Sequence, residues 1–397
     1  MNKRFPTRVK AMLAAVLIAL AMQTFPAPAR ALDIDVILPK TGGAAFLGKE
    51  EQKALELAEV EINKTGGVHG QPVHFVILDD QSSPQTSVQL GNRMVARAPS
   101  ILLGSSLVSS CNAMSPLMKN GPVMYCFSPG IHPQQGSYVF SASVSTVDVA
   151  RAQIQYFRMR GWTRIALMTS ADATGQDAEQ SINSALADPS NKDIVIVDRA
   201  HFNVTDVSVA AQIDHIRASN PQALIAWSTG TPIATVFKGI IGAGLDVPVA
   251  TGFGNMTYAQ MEQYAAFLPK DLFIASPGWV RHAGVLTLDP KVEEAQKRFF
   301  DTFDGAHMKP DIGATLSWDP AMIVIDALRH LELNASPAQV REYLTQLKGF
   351  AGVNGIYDFP ANPQRGLGGD SVVVTRWNAT QQSFEMVSKP GGVPISR

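Results

Sequence analysis

Short apolar, β-branched runs recur along the chain at 34–38, 73–78, 101–103, 123–127, 164–168, 194–197, 223–227, 247–250, 272–275 and 372–375, and each predicts a strand. Between most of them the apolar residues fall at helical spacing instead. Ala54, Leu55, Ala58 and Ile62 share one face, as do Ile154 and Phe157 and, later, Ile323, Ala327 and Leu331. Strand and helix alternate almost throughout, which predicts an α/β fold with parallel sheets covered by helices on both faces. Continuous apolar runs, rather than strict alternation, agree with strands buried on both sides. A chain of 397 residues predicts about two domains. No Pro/Gly/Ser tether lies between them, so short crossings must join them. The first crossing is placed at 143–149, where Ser145-Thr-Val-Asp148 has the form of a capped helix start. A new strand-helix series begins at Arg164.

The order of residues near the start points to binding rather than catalysis. Asp33 to Leu38 runs into Pro39-Lys-Thr-Gly-Gly-Ala-Ala-Phe-Leu-Gly48, then a long helix, Gly66-Gly67 and the run Val73 to Asp80. Such a βαβ unit sets its first loop at the carboxyl end of a strand, where open α/β sheets bind ligands. Gly43 to Lys49 has P-loop spacing, but Glu50 stands where a phosphate site needs a hydroxyl. The structural reading is a turn into a helix, with Glu50 and Glu51 favourable to the helix dipole. Phe46 or Leu47 at its tip either faces a ligand or packs. Gly252-Phe-Gly254 begins like a dinucleotide fingerprint but lacks the third glycine, and reads as a strand-end loop. Gly104-Ser-Ser-Leu-Val-Ser-Ser110 follows an apolar run and leads into a helix, so its amides and hydroxyls converge where a carboxylate is favoured, unless they only cap the helix. No nucleophile elbow, His-Glu-x-x-His or Cys-His pair suggests hydrolysis, and no cofactor motif stands out.

Upstream, Lys3, Arg4, Arg8 and Lys10 precede the apolar run 11–22, and Ala29-Arg30-Ala31 has the small-x-small form that a signal peptidase accepts. A signal peptide over 1–31, cleaved after Ala31, is therefore predicted. The run is shorter than the ~20 residues that span a bilayer, so no direct membrane insertion is expected. A net charge of −1 gives no reason to expect nucleic acid or an anionic membrane as partner. Cys111 and Cys126 lie close in sequence, and export exposes them to oxidant. A disulfide is expected, worth ~3 kcal/mol in the chain-entropy model; two buried thiols are the alternative. A metal site would need a ligand cluster that the sequence does not offer.

These marks in their order give the chain a resemblance. Leu38-Pro-Lys-Thr-Gly-Gly43 with Gly48, Ala58-Glu-Val-Glu-Ile-Asn63 before Gly66-Gly67-Val-His-Gly70, Asp79-Asp80 with Ser82-Ser83-Pro84, Leu103-Gly104 with Ala113 and Pro116, Ser128-Pro129-Gly130 and Gly161-Trp162 follow one another as in a known family. The chain resembles, over nearly its whole mature length, the Leu/Ile/Val-binding family of periplasmic solute-binding proteins that serve ABC importers. The resemblance implies two Rossmann-like lobes of the type I periplasmic binding fold, hinged by three crossings around a ligand cleft. The lobes are expected over 32–149 plus 281–365 and over 150–280 plus 366–397, with crossings near Val149, Trp279 and Arg365. Matching residue by residue places Val108 and Ser109, with a slip of one open, and Gly130 and His132 around a ligand carboxylate. His132 replaces the family's usual hydroxyl and either donates a charge-assisted bond or covers the loop from outside. Thr174, Thr231 and Asn255 are expected from the second lobe. Gly254-Asn255 stands where amino-acid binders present a carboxylate to the ligand's amine, so the amine anchor is expected to be missing. The function implied is capture of a small carboxylate, leaning to an aromatic or other organic acid over an amino acid, for delivery to a membrane permease. The protein is expected in the periplasm, as a monomer without catalysis. A ligand-sensing receptor and, less so, an exported hydrolase are the alternatives.

Overall fold

The computed structural model of the protein describes residues 31–280 and 286–395. Residues 1–30, which fall within the expected signal peptide 1–31, and residues 281–285, just after the expected boundary at 280, lie outside the described residues. Five strands, β1 (Leu32–Leu38), β2 (Val73–Asp79), β3 (Ile101–Gly104), β4 (Val123–Cys126) and β5 (Val139–Ser141), form a first sheet in the order β2-β1-β3-β4-β5, every pair parallel. Along β1, Val36 and Leu38 join one apolar cluster while Ile37 joins another on the opposite face, and β3 divides in the same way at Leu103 and Leu102. The sheet is thus covered on both faces, which is why its strands read as unbroken apolar runs.

Eleven described helices cover the sheets. In the first half these are α1 (Ala45–Lys64), α2 (Pro84–Val95), α3 (Val108–Met114), α4 (Thr146–Met159) and α5 (Ala173–Leu186). They continue with α6 (Ala210–Ala218), α7 (Pro232–Gly242), α8 (Tyr258–Gln263), α9 (Pro290–Gly305), α10 (Ile312–His330) and α11 (Pro337–Gln346). The apolar face read from the sequence of α1 is the buried one, and α10 packs along that helix. Cys111 on α3 and Cys126 on β4 are bonded, with Cα atoms 6.2 Å apart.

The second sheet contains β6 (Arg164–Ser170), β7 (Val195–Phe202), β8 (Ala223–Trp227), β9 (Val249–Thr251) and β10 (Leu272–Pro277), all parallel. After a hairpin of β11 (Lys348–Gly352) and β12 (Gly355–Asp358), the chain adds β13 (Val372–Asn378) and β14 (Ser383–Met386) to its edge, giving the order β14-β13-β10-β9-β8-β6-β7. The expectation of wholly parallel sheets is corrected here, because β13 lies antiparallel to β10 and to β14. A parallel neighbour needs a long crossover, whereas Asn378 turns the chain within a few residues by accepting the amides of Thr380 and Gln381 through Oδ1.

The chain passes from the first sheet to the second between β5 and β6, returns after β10, and passes again between β12 and β13. At the first passage Ser145 caps α4 by accepting the Asp148 amide. Arg365 in the last passage is buried and ties the two together, its Nη1 donating to the carbonyls of Ala142, Ser143 and Val144 and its Nη2 to that of Ile131. Burial pulls the Arg365 guanidinium down to about 10, still charged near neutrality.

Candidate functional site

The loops at the carboxyl ends of both sheets face one another. From the first lobe come Leu47 on α1, Ser106 and Val108 at the start of α3, Ser128-Pro129-Gly130 after β4, and Leu316 on α10. The second lobe contributes Thr174 and Asp177 on α5, Trp227 and Thr229 after β8, and Phe253-Gly254 after β9, while Thr146 stands at the first passage. The lobes meet closely, leaving about 40 Å³ between these side chains. Their contacts are specific. The Thr231 amide donates to the Gly43 carbonyl at 2.8 Å, and His132 Nε2 is 2.6 Å from Asp177 Oδ1. Gly230 has φ +83°, and a Cβ there would lie 2.2 Å from the same Gly43 carbonyl, so both the backbone conformation and the approach require glycine.

The turn with P-loop spacing is tied to the loop that follows β2. Asp79 accepts from the amides of Lys40, Thr41 and Gln81 and from the Thr41 hydroxyl, and Ser82 accepts the Ala44 amide. Those bonds outweigh desolvation and hold the Asp79 carboxyl below its ordinary range. The turn is instead the frame that carries Leu47 to the cleft.

Beneath the serine loop lies a buried polar cluster. Asp80 accepts from Ser105 Oγ at 2.6 Å, Ser87 Oγ at 3.0 Å and the Ser82 amide at 2.9 Å, and Ser87 bonds Ser110. Ser106 bonds the carboxyl of Glu51, which is wholly buried. Burial pushes the Glu51 carboxyl up to about 8, with Asp80 adding to the rise and the Ser106 bond opposing it.

Of the residues expected from sequence, Val108, Gly130 and Thr174 line the cleft. His132 stands at its rim with its side chain about half exposed, and its partner is the second lobe's Asp177. Phe46 meets the ring of Tyr264 edge-on at 5.9 Å across the lobes, while the adjacent Leu47 is the tip residue that lines the cleft. Ser109 is half-buried and Thr231 exposed, and neither is among the lining residues. Asn255 is buried with its amide engaged by its own lobe: Nδ2 donates to the Ser228 carbonyl and Thr251 Oγ1, and Oδ1 accepts the Gly230 amide. It shapes the loops that carry Trp227, Thr229 and Phe253.

The missing second-lobe carboxylate is a correction. Asp177, nearly buried, lies in the cleft lining three residues after Thr174, on the same face of α5. The helical spacing from Thr174 is the signal for it; Ser106 lies in the serine loop that the sequence marks for a carboxylate, whereas Trp227 and Phe253 carry no signal beyond their strand-end positions. Gly130 packs against Asp177, since a Cβ there would stand 2.7 Å from Oδ2. Among the described lining residues Asp177 is the one acidic side chain, and none is Lys, Arg or His. No group of three or more His, Cys, Asp or Glu among the described residues is placed to hold a metal, and no described helix is long and apolar enough to cross a membrane.

The profile of the family described as "Periplasmic binding protein" matches residues 32–382. A Leu/Ile/Val-binding protein homolog from Brucella abortus is 31% identical over 71 residues, which are 18% of this chain and 19% of that one, so the match spans about a fifth of the relative's length. The branched-chain amino acid transporter substrate-binding protein LivJ of Streptococcus pneumoniae, solved with isoleucine, superposes with a TM-score of 0.75 at 19% identity over 90% of this chain and 99% of its own. A solute-binding protein of an ABC transporter from Rhodopseudomonas palustris, solved with benzoate, does so with a TM-score of 0.77 at 16% identity over 92% and 98%. The two structures share the fold. The match along most of the chain, together with two α/β lobes facing across a cleft, shows that this chain belongs to the periplasmic binding protein family.

Proposed function

We propose that the protein is the solute-binding component of an ABC importer and captures a small carboxylate with an apolar body between its lobes, an α-amino acid foremost. The observation that carries this is the pairing of a neutral hydroxyl- and amide-rich wall in the first lobe with a single acidic side chain, Asp177, in the second. A bare anion beside Asp177 is repelled, whereas a zwitterion offers its carboxylate to Ser106, Ser128 and the loop amides and its ammonium to Asp177. Leu47, Val108, Trp227, Phe253 and Leu316 supply the apolar surroundings for a branched or aromatic body. The cleft must widen to admit it, because pockets that enclose small ligands measure roughly 300 Å³ or more. Hinge motion about the passages near Val149, Trp279 and Arg365 supplies that widening, with 32–149 plus 281–365 and 150–280 plus 366–397 as the moving bodies. Export to the periplasm, with cleavage after Ala31 and an oxidised Cys111–Cys126 pair, belongs to the same reading.

A thermal-shift panel of the mature protein with leucine, isoleucine, phenylalanine, 4-methylvalerate and benzoate tests it, since a ligand held only by the native state raises the melting temperature. The amino acids are expected to give the larger shifts. Shifts from the deaminated acids alone would return the ligand to the aromatic and organic acids, and no shift from any of the five would remove the carboxylate reading.

A further inference from the structure

Glu51 has no role in the cleft as described so far, yet it lies directly behind it. Its side chain is wholly buried on the inner face of α1, one oxygen bonded to the Ser106 hydroxyl and the other, Oε1, without a hydrogen-bond partner among the described residues. Ser106 is in turn a cleft-lining residue whose hydroxyl makes no other hydrogen bond to a described side chain. A serine hydroxyl has one proton to give and two lone pairs to offer. If Glu51 is ionised, that proton is committed to Glu51 and Ser106 shows the cleft only acceptors. If Glu51 is protonated, its O–H donates to Ser106 Oγ, and the serine proton is free to point at a ligand.

We propose that Glu51 is a positioning residue, and that the proton it shares with Ser106 sets whether Ser106 offers the cleft a donor for a carboxylate or only an acceptor. The inference rests on the carboxylate reading of the cleft. Its surroundings favour the protonated form. Asp80 at the end of β2 is the charged group whose field reaches Glu51, and it opposes a second negative charge. On α1 itself Glu50 pairs with Lys53, and both act on Asp311 at the start of α10. The rest of α10 meets the turn of Glu51 through Ser317, whose hydroxyl donates to the Glu51 carbonyl. The cleft carboxylate, Asp177, pairs with His132. No cation among these holds Glu51 ionised, and burial keeps its proton on up to about pH 8. A neutral Glu51 also spares the ligand carboxylate a like charge behind its donor.

The test has two arms on the full mature chain. In the first, without ligand, carbon-13 NMR follows the side-chain carboxyl of Glu51, assigned by its loss in Glu51→Gln. It is expected to titrate far above the ordinary carboxylate range, with a midpoint that rises in Ser106→Ala because the hydroxyl no longer stabilises the anion. An ordinary midpoint, or one that Ser106→Ala leaves unmoved, overturns the proposal. In the second, calorimetry with leucine and with benzoate reads affinity at pH 7 and pH 9. The wild type is expected to lose about tenfold over that interval, as one linked proton requires. Glu51→Gln, whose amide donates to Ser106 at every pH, is expected to lose none of it. Should that variant not fold, Ser106→Ala serves instead, its binding weaker at pH 7 and losing much less than tenfold by pH 9, because no serine donor is switched and Glu51 ionises later. A flat wild-type profile, or a variant as steep as wild type, overturns the proposal. If neither probe binds at any pH, the carboxylate reading falls, and with it the proposal's use of Ser106, whatever the first arm returns.

Discussion

Asp177 touches His132 through Oδ1 and packs against Gly130 through Oδ2, so a single buried carboxylate serves both the seam between the lobes and the cleft. Asp177→Asn keeps the shape and removes the charge. Leucine affinity is expected to fall by about 10–100-fold, the loss of a charge-assisted bond, while benzoate, which has no amine, is expected to lose less. Equal losses for both would show that Asp177 acts on closure alone. Glu51 makes a second prediction, on stability. Its folded-state carboxyl is raised from 4.5 to about 8, so the folded form retains a proton that the unfolded chain releases. Its contribution is complete below pH 4.5, declines as pH rises, and is lost once pH passes about 8, at on the order of 1.4 kcal/mol per pH unit within that window. Glu51→Gln has nothing to ionise, so urea unfolding should show it gaining on the wild type from pH 5 to pH 8 and holding a constant lead above. A constant difference across the range would mean that Glu51 titrates normally. Residues of this kind were the least legible from sequence. Nothing in the run of letters distinguishes a buried Glu51 from its neighbour Glu50 in the second turn of α1, and Asp177 is marked only by its spacing from Thr174. Asn255 was assigned to the ligand because it occupies a family position, whereas its four-way amide is what the buried loops after β8 and β9 need to satisfy their own backbone.

At the scale of elements the sequence was far more informative, because period and chemistry agree there. The buried face of α1 and ten strand positions follow from apolar spacing alone, and Ser145 capping α4 follows from side-chain chemistry. The strands that escaped are short or at edges. β5 has three residues, the β11–β12 hairpin contains glycines at both ends of its turn, and β14 alternates with polar residues that face solvent. None of these produces an apolar run. Loop positions were legible as strand ends, but not which loop residue would project into the cleft, since that depends on how the two lobes are set against one another. The contact between the turn before α1 and the turn before α7 is the clearest case. Gly230→Ala places a Cβ against the Gly43 carbonyl and forces a side chain into the left-handed region. The cost, on the order of 1–2 kcal/mol, falls on the form in which the lobes meet. Leucine affinity should therefore drop by roughly tenfold in calorimetry, with the melting temperature of the ligand-free protein changed much less. Unchanged affinity would show that this contact is absent from the ligand-bound form.

For the whole molecule, the alternation of strand and helix gave the class of fold, and family motifs gave the two-lobed arrangement that alternation by itself does not contain. The antiparallel edge at β13 and β14 was legible from neither, since it follows from where the chain re-enters the second lobe after its last passage. The cleft joins these scales: two carboxyl-end rims, one neutral and one carrying Asp177, brought together by three passages of the chain. Titration calorimetry of the purified mature protein with leucine, followed by recovery of the solute, tests that claim most directly. The expected result is saturable one-to-one binding with a negative heat-capacity change, as apolar surface is buried between the lobes, and leucine returned chemically unchanged. Leucine recovered as a different compound, or heats that never saturate for leucine while its deaminated analogue binds tightly, would contradict it.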